Sequence, residues 1–220
     1  MAGLEQAHAI SNAVGNAQNP TEVLYLVALH FVDQFLDFLE TAVTTDELLS
    51  RQSQLSPGST VGKHARHLLD HYRLLLQGVS DADSPASAAS SAATAFPSST
   101  RAAPPIHVNY DLRTRNLAAE TSHSACVESF EQLRAQLRHV TAQGRGVDAE
   151  RVVRLHATTP VQVEVGSTFA RELWFASFHA VHHFALIRVI ATGELGVTVP
   201  KDFGVAPATL VHRQEEASKL

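Results

Sequence analysis

Two short stretches constrain the fold more than any other feature of this chain. "GKHARHLLDH", Gly62 to His71, and "SFHAVHHFALIRVIATG", Ser177 to Gly193, are helix-like runs that each carry three histidines, with more than a hundred residues between them. At 3.6 residues per turn, helix positions four apart differ by about 40° in azimuth and positions seven apart by about 20°. His179 and His183 therefore share a face, and His182 lies about 60° to one side of His179. On the upstream helix His64, His67 and His71 likewise fall within about 60°, with Asp70 further round. If the two helices face each other, both clusters serve one site.

Each histidine alone has an ordinary reading, a core imidazole donating to a backbone carbonyl. Six on two helix faces are harder to explain that way, because burying unpaired polar groups is costly. Neutral imidazole suits zinc, nickel, copper and iron alike, so a His-x3-His pair points to a divalent transition metal without choosing it. The other seven of the 13 histidines, His8, His123 and His212 among them, lack this spacing and are read as ordinary surface or core residues.

The chain around the clusters reads as helical. "NPTEVLYLVALHFVDQFLDFLETAV" has a Pro-Thr-Glu start and apolar residues recurring at three and four, which predicts a first helix over Thr21 to Ala42. After the breaker "LSPGST", Ser59 or Thr60 can cap a second helix that runs to Leu76 or Gln77 and stops at Gly78. Residues 80–105 are built almost wholly from Ala, Ser, Pro and Thr, which bury too little apolar surface to offset ordering entropy. They are expected to form a mobile insertion inside one domain spanning 1–220. A third helix is expected from about Thr114 to Ala142. A short β-hairpin follows on either side of Thr159-Pro160, and Ser167 or Thr168 starts the last helix, which continues to Ala191 before Gly193. The tail has too many Gly and Pro for a long helix.

Composition narrows the function. Among 220 residues, 45% are hydrophobic and 18% charged, ordinary values for a domain with a real core. A net charge of -5 with 17 scattered Lys and Arg offers no basic face to nucleic acid. Every apolar run is interrupted by His, Arg or Glu short of the ~20 residues of a membrane span. The single cysteine, Cys126, forms no internal disulfide, and the N-terminus lacks a signal core. A soluble protein of the reducing cytoplasm is the expectation.

At this point the residues carry a resemblance. "RHLLDH" in the second helix, "YDLRTR" followed by Glu120 before the third, and "RELWFASFHAVHHFALI" in the last are similar to motifs of the DinB/YfiT-like superfamily of metal-binding four-helix bundles. The resemblance covers most of the chain outside the insertion and both ends. It implies an all-α four-helix bundle with a long crossover between helices two and three, the insertion fitting that crossover. It also implies that one second-helix histidine joins the His-x3-His pair, which places the ligands at His67, His179 and His183 and leaves a position open for water or substrate. His64, His71 and His182 are extra histidines, alternative ligands or outer partners.

Other residues keep two readings. Arg113 and Arg115 can bind an anionic substrate group, or pair with Asp111 or Glu120. Asp70 can orient a ligand or stand in solvent. Trp174, Phe175, Phe178 and Phe184 line a pocket or fill the core. Cys126 reads as a small buried hydrophobe. "DFGVAPAT" is no kinase signal, since the partner motifs are missing. The resemblance thus implies a metal-dependent enzyme of hydrolase or thiol S-transferase type, with zinc first and nickel or iron next, acting on a small-molecule substrate. The competing reading is a non-catalytic module whose histidines clamp two helices. The bundle is expected to bury an apolar face against a second copy as a homodimer.

Overall fold

The structure is a computed structural model that describes residues 15, 17, 19–84, 103–112, 114, 117–142 and 146–217. Six α-helices and a three-stranded sheet lie among the described residues. Helix α1, Pro20–Thr41, starts as the sequence predicts: Asn19 caps it by accepting from the Glu22 amide, and Pro20 takes the first turn, where no amide is needed. A short helix α2, Asp46–Ser50, is capped by Thr45.

Helix α3, Val61–Ala82, is capped by Thr60 and carries the upstream histidines. It does not stop at Gly78. A side chain there would bring Cβ within 2.6 Å of the His107 carbonyl oxygen, so Gly78 admits a crossing strand and ends nothing. The expected insertion therefore cannot begin at Ser80, which is helical, while residues 85–102 of it lie outside the described residues. One guanidinium ties both approaches to that stretch. Arg151 pairs with Asp83 at 2.7 Å and donates twice to the Pro104 carbonyl, both at 3.1 Å.

Strand β1, Ile106–Asn109, is the crossing strand, and it pairs in parallel with β2, Val152–Thr158. Strand β3, Gln162–Thr168, completes the predicted antiparallel hairpin around Thr159-Pro160, whose peptide bond is cis. The expected two-stranded hairpin is thus part of a mixed three-stranded sheet. A 3-10 turn at Ala118–Glu120 precedes helix α4, His123–Ala142. The expected helical start near Thr114 moves nine residues on because that turn must seat against α3. Gly62 meets the Glu120 carbonyl so closely that a Cβ would lie 2.0 Å from its oxygen. Arg66 and Glu120 form an ion pair at 3.4 Å beside this contact.

Helix α5, Phe169–Gly193, is capped by Thr168, whose hydroxyl accepts from the Arg171 amide. The tail returns along α5 and ends in a short helix α6, Pro207–Ala217. Arg188 donates to the carbonyls of Pro200, Lys201 and Phe203, which seats Phe203 in the core.

Helix α1 packs on α4 and α5, and α3 packs on the same two helices. Their shared interior is one apolar cluster, including Phe35, Phe38, Phe130, Leu173, Phe184 and Ile187. By length and composition α5 alone among the described helices could cross a membrane despite its His, Arg and Glu interruptions, but half of that stretch is buried inside the molecule. It behaves as a core helix with one polar seam, and that seam holds the histidines.

Candidate metal centre

The packing of α3 on α5 brings the two histidine clusters together. His67, His179 and His183 each turn a ring nitrogen into one space, the three atoms lying within 4.8 Å of one another. His67 Nε2 is 3.1 Å from His179 Nε2, and His183 Nε2 is 3.0 Å from the same atom. Two zinc-bound imidazole nitrogens at ~2.0–2.1 Å in tetrahedral array stand roughly 3.3 Å apart, close to both spacings measured from His179.

The electrostatics favour ligands over cations. Burial, followed by repulsion from His71 and His182, lowers the His179 pKa to about 4. Burial also lowers that of His183 to about 2, with the neighbouring His179, His67, His64 and His182 adding to it. Both rings are neutral at pH 7, the form that binds a metal. The donor set of three imidazoles and no carboxylate fits a borderline transition ion better than calcium or magnesium.

The extra histidines take distinct places. His64 Nδ1 stands 2.8 Å from His183 Nδ1, on the side of that ring away from the trio, and His64 Nε2 stands 2.8 Å from Ser59 Oγ. If His183 keeps Nε2 for a metal, its Nδ1 must carry the proton and donate it to His64 Nδ1. His64 then holds its own proton on Nε2 and donates to Ser59. A single chain of hydrogen bonds sets both tautomers. His71 Nδ1 donates to the His67 carbonyl at 2.9 Å, and its ring stacks on Tyr110 at 4.7 Å and 12°. His182 is exposed on the rim, stacked against His179 at 5.8 Å.

Asp70 is buried, against the solvent-standing reading, and its charge acts on Arg73. Arg113 and Arg115 lie outside the described residues. Of the partners considered for them, Glu120 also pairs with Arg66, and Asp111 accepts from the Thr158 amide at 2.7 Å. Phe184 is core, Phe175 is half-buried beside His179, and Trp174 and Phe178 are exposed, which excludes a core role for those two. Cys126 is fully buried, and burial raises its thiol pKa to about 12, so it acts as a hydrophobe.

Sequence reasoning passed over Ser59, considered only as a cap, and Tyr110 and Glu172. Glu172 is buried on the His179 side of α5, two turns before it, and accepts from Ser167 Oγ at 2.6 Å. Tyr110 is raised above the ordinary phenol range, first by burial and then by the charge of Glu172. The i, i+7 spacing of Glu172 and His179 was a visible signal. Tyr110 came close through a strand that the sequence did not announce.

A profile of the DinB superfamily matches residues 31–187, which include the trio and all four long packed helices in part or whole. The chain belongs to the DinB superfamily. This DinB protein is also 34% identical over 109 residues to a protein of Rhizopus delemar called FK506-binding protein 5. That match takes in 50% of the present chain and only 28% of the Rhizopus protein, so the shared part is a minor portion of the relative. No solved structure matches the chain.

Proposed function

We propose that this DinB protein binds one divalent transition metal, zinc foremost, through His67, His179 and His183, and that it is a metal-dependent enzyme of the hydrolase or thiol S-transferase type. The observation that carries the reading is the convergence of three imidazole nitrogens within 4.8 Å, supplied by helices whose histidines lie 112 residues apart in sequence. Family membership supports the same reading, together with the four-helix bundle and helix-two-to-three crossover in which such a site is built.

A catalytic centre keeps a coordination position free, whereas a structural one closes its shell. The extra histidines favour the free position. His64 lies behind His183 and is engaged with Ser59, and His71 spends Nδ1 on a backbone carbonyl. When bound, the ion supplies Lewis-acid polarisation and acidifies a water or thiol presented to it. The chain's own part is to hold three neutral rings in one register, exclude bulk water with Phe175 and Tyr110, and keep the rim open at His182.

Elemental analysis of the protein purified without added metal is the first test. One equivalent per chain in the wild type, lost in His179→Ala while circular dichroism is unchanged, is expected. Panels of ester, amide and thiol-transfer substrates, run on metal-loaded and stripped protein, test the enzyme part. Full metal content in His179→Ala would remove the site, and a loaded protein inert in every panel would leave the clamp reading in its place.

A further inference from the structure

We propose that the outer arc of α5 beside the trio is a docking platform for a small planar carboxylate, with its flat body on Trp174 and Phe178 and its charge on Arg171. This rests on the metal-enzyme reading and names the substrate class of that same site. By helical azimuth Arg171, Trp174, Phe178 and His182 share one arc of about 80°, and Phe175 and His179 border it on the side of the trio. The platform and the candidate metal position are therefore neighbouring strips of one helix.

Three observations make the arc more than a stray apolar patch. The rings of Trp174 and Phe178 are stacked, 5.2 Å apart with 7° between their planes, while 44% and 53% exposed. Single exposed hydrophobes are ordinary, but an aromatic pair stacked in water leaves an outer ring face ready for a third ring. Arg171 sets its guanidinium over both Trp174, at 5.2 Å, and Phe175, at 5.3 Å. Among the described residues no carboxylate forms an ion pair with it. A guanidinium held beside aromatic rings, with no ion-pair partner, keeps N–H donors for a bidentate carboxylate.

Distance and charge then select the ligand. Arg171 is 5.3 Å from the Phe175 ring and that ring is 5.5 Å from His179, so the cation is at most about 11 Å from the nearest imidazole of the trio. A molecule one ring and a short arm long spans this gap. An ion on three neutral histidines keeps its full positive charge, and with Arg171 the mouth is cationic although the whole chain carries -5. The same charge argues against a second copy seated here, because a two-fold contact would set this cationic arc against itself.

Trp174 is the only tryptophan of the chain, so its fluorescence reports on this platform alone. Zinc-loaded full-length protein is titrated with trans-cinnamate and with cinnamamide, which keeps the ring and lacks the charge, with calorimetry in parallel and zinc content measured throughout. Saturable binding of the carboxylate is expected, with the amide about tenfold weaker, as loss of a charge-assisted hydrogen-bond pair implies. Arg171→Gln should erase the preference at unchanged zinc content, and Arg171→Lys should restore it in part. Equal binding of acid and amide, or a preference that survives Arg171→Gln, overturns the proposal. So does a dimer by light scattering that Phe178→Ser converts to a monomer. Failure to hold zinc with the acid preference intact would instead sink the metal reading and leave the platform standing.

Discussion

His183 and Phe184 are adjacent on α5, yet they belong to opposite kinds of ring cluster. Phe184 joins Phe35 at 5.5 Å and Phe203 at 4.7 Å, with Phe38 on Phe203 at 4.5 Å and Phe130 on Phe35 at 4.6 Å. His183 joins His67 at 4.7 Å, His179 at 4.5 Å and His64 at 5.0 Å. The centroid spacings are nearly the same. The phenyl cluster is complete as it stands, because removing apolar area from water is its whole task. The imidazole cluster carries a lone pair on every ring, and packing alone cannot satisfy nitrogens that converge on each other. The difference teaches that one half of the α5 interior makes the fold and the other half spends stability on a site.

The strongest way to break that division is through the phenyl half. Phe184→Ala, at a position 1% exposed, should cost about 3–5 kcal/mol by transfer and cavity terms. It should lower the melting temperature by roughly 10 °C at about 2–4 °C per kcal/mol, while the metal bound per folded molecule stays unchanged. Loss of metal at equal folded fraction would show that the halves are one unit.

His64 sharpens the division from the other side. Replacing it by Ala removes the acceptor that fixes the His183 ring, and outer partners of this kind are worth about 10–100-fold in metal affinity. A competition titration with a chromogenic chelator reads this, and the melting temperature should change less than for Phe184→Ala. An unaltered affinity would mean that the His183 ring is fixed by packing alone. Ser59→Ala acts one bond further out and should weaken binding by only a few-fold.

Acidity separates the halves more gently. The folded pKa values of His179 and His183, about 4 and about 2, lie below the ordinary 6.5, so between these values the unfolded chain binds more protons. Stability of the metal-free protein is therefore full above pH 6.5 and falls as the pH drops from there toward 4. His179→Phe should flatten this slope over the same window, whereas Phe184→Ala should leave it unaltered. Thermal melts across that range give the answer.

Much of this was legible in the sequence, for reasons that differ by element. Helix α1 and the hairpin declared themselves through start and turn residues that act locally, Pro20-Thr21-Glu22 and Thr159 with Pro160. The meeting of the two histidine clusters followed from helical spacing. Strand β1 did not announce itself, because four residues following an Ala/Ser stretch carry too short an alternation, and its partner in β2 lies 47 residues away. Gly78 misled for the same reason: it looks like a helix stop until the His107 carbonyl that requires it is in view. Spacing also puts His64 and His67 on one face, but only the side-chain geometry shows His67 turned toward His179 and His64 turned behind His183. Arg171 was hidden by its place in a helix start, where a basic residue has no predicted task.

The central claim is that the imidazole half of the α5 seam holds one transition ion on His67, His179 and His183. Anomalous diffraction recorded on either side of the zinc edge, from crystals of the purified full chain, tests it most directly. The account predicts a single strong peak bonded to Nε2 of all three rings at about 2.0–2.1 Å, with His64 bonded to His183 and one coordination position filled from solvent. A peak bonded instead to His64 or His71, or three rings hydrogen-bonded to one another with no peak among them, would contradict it.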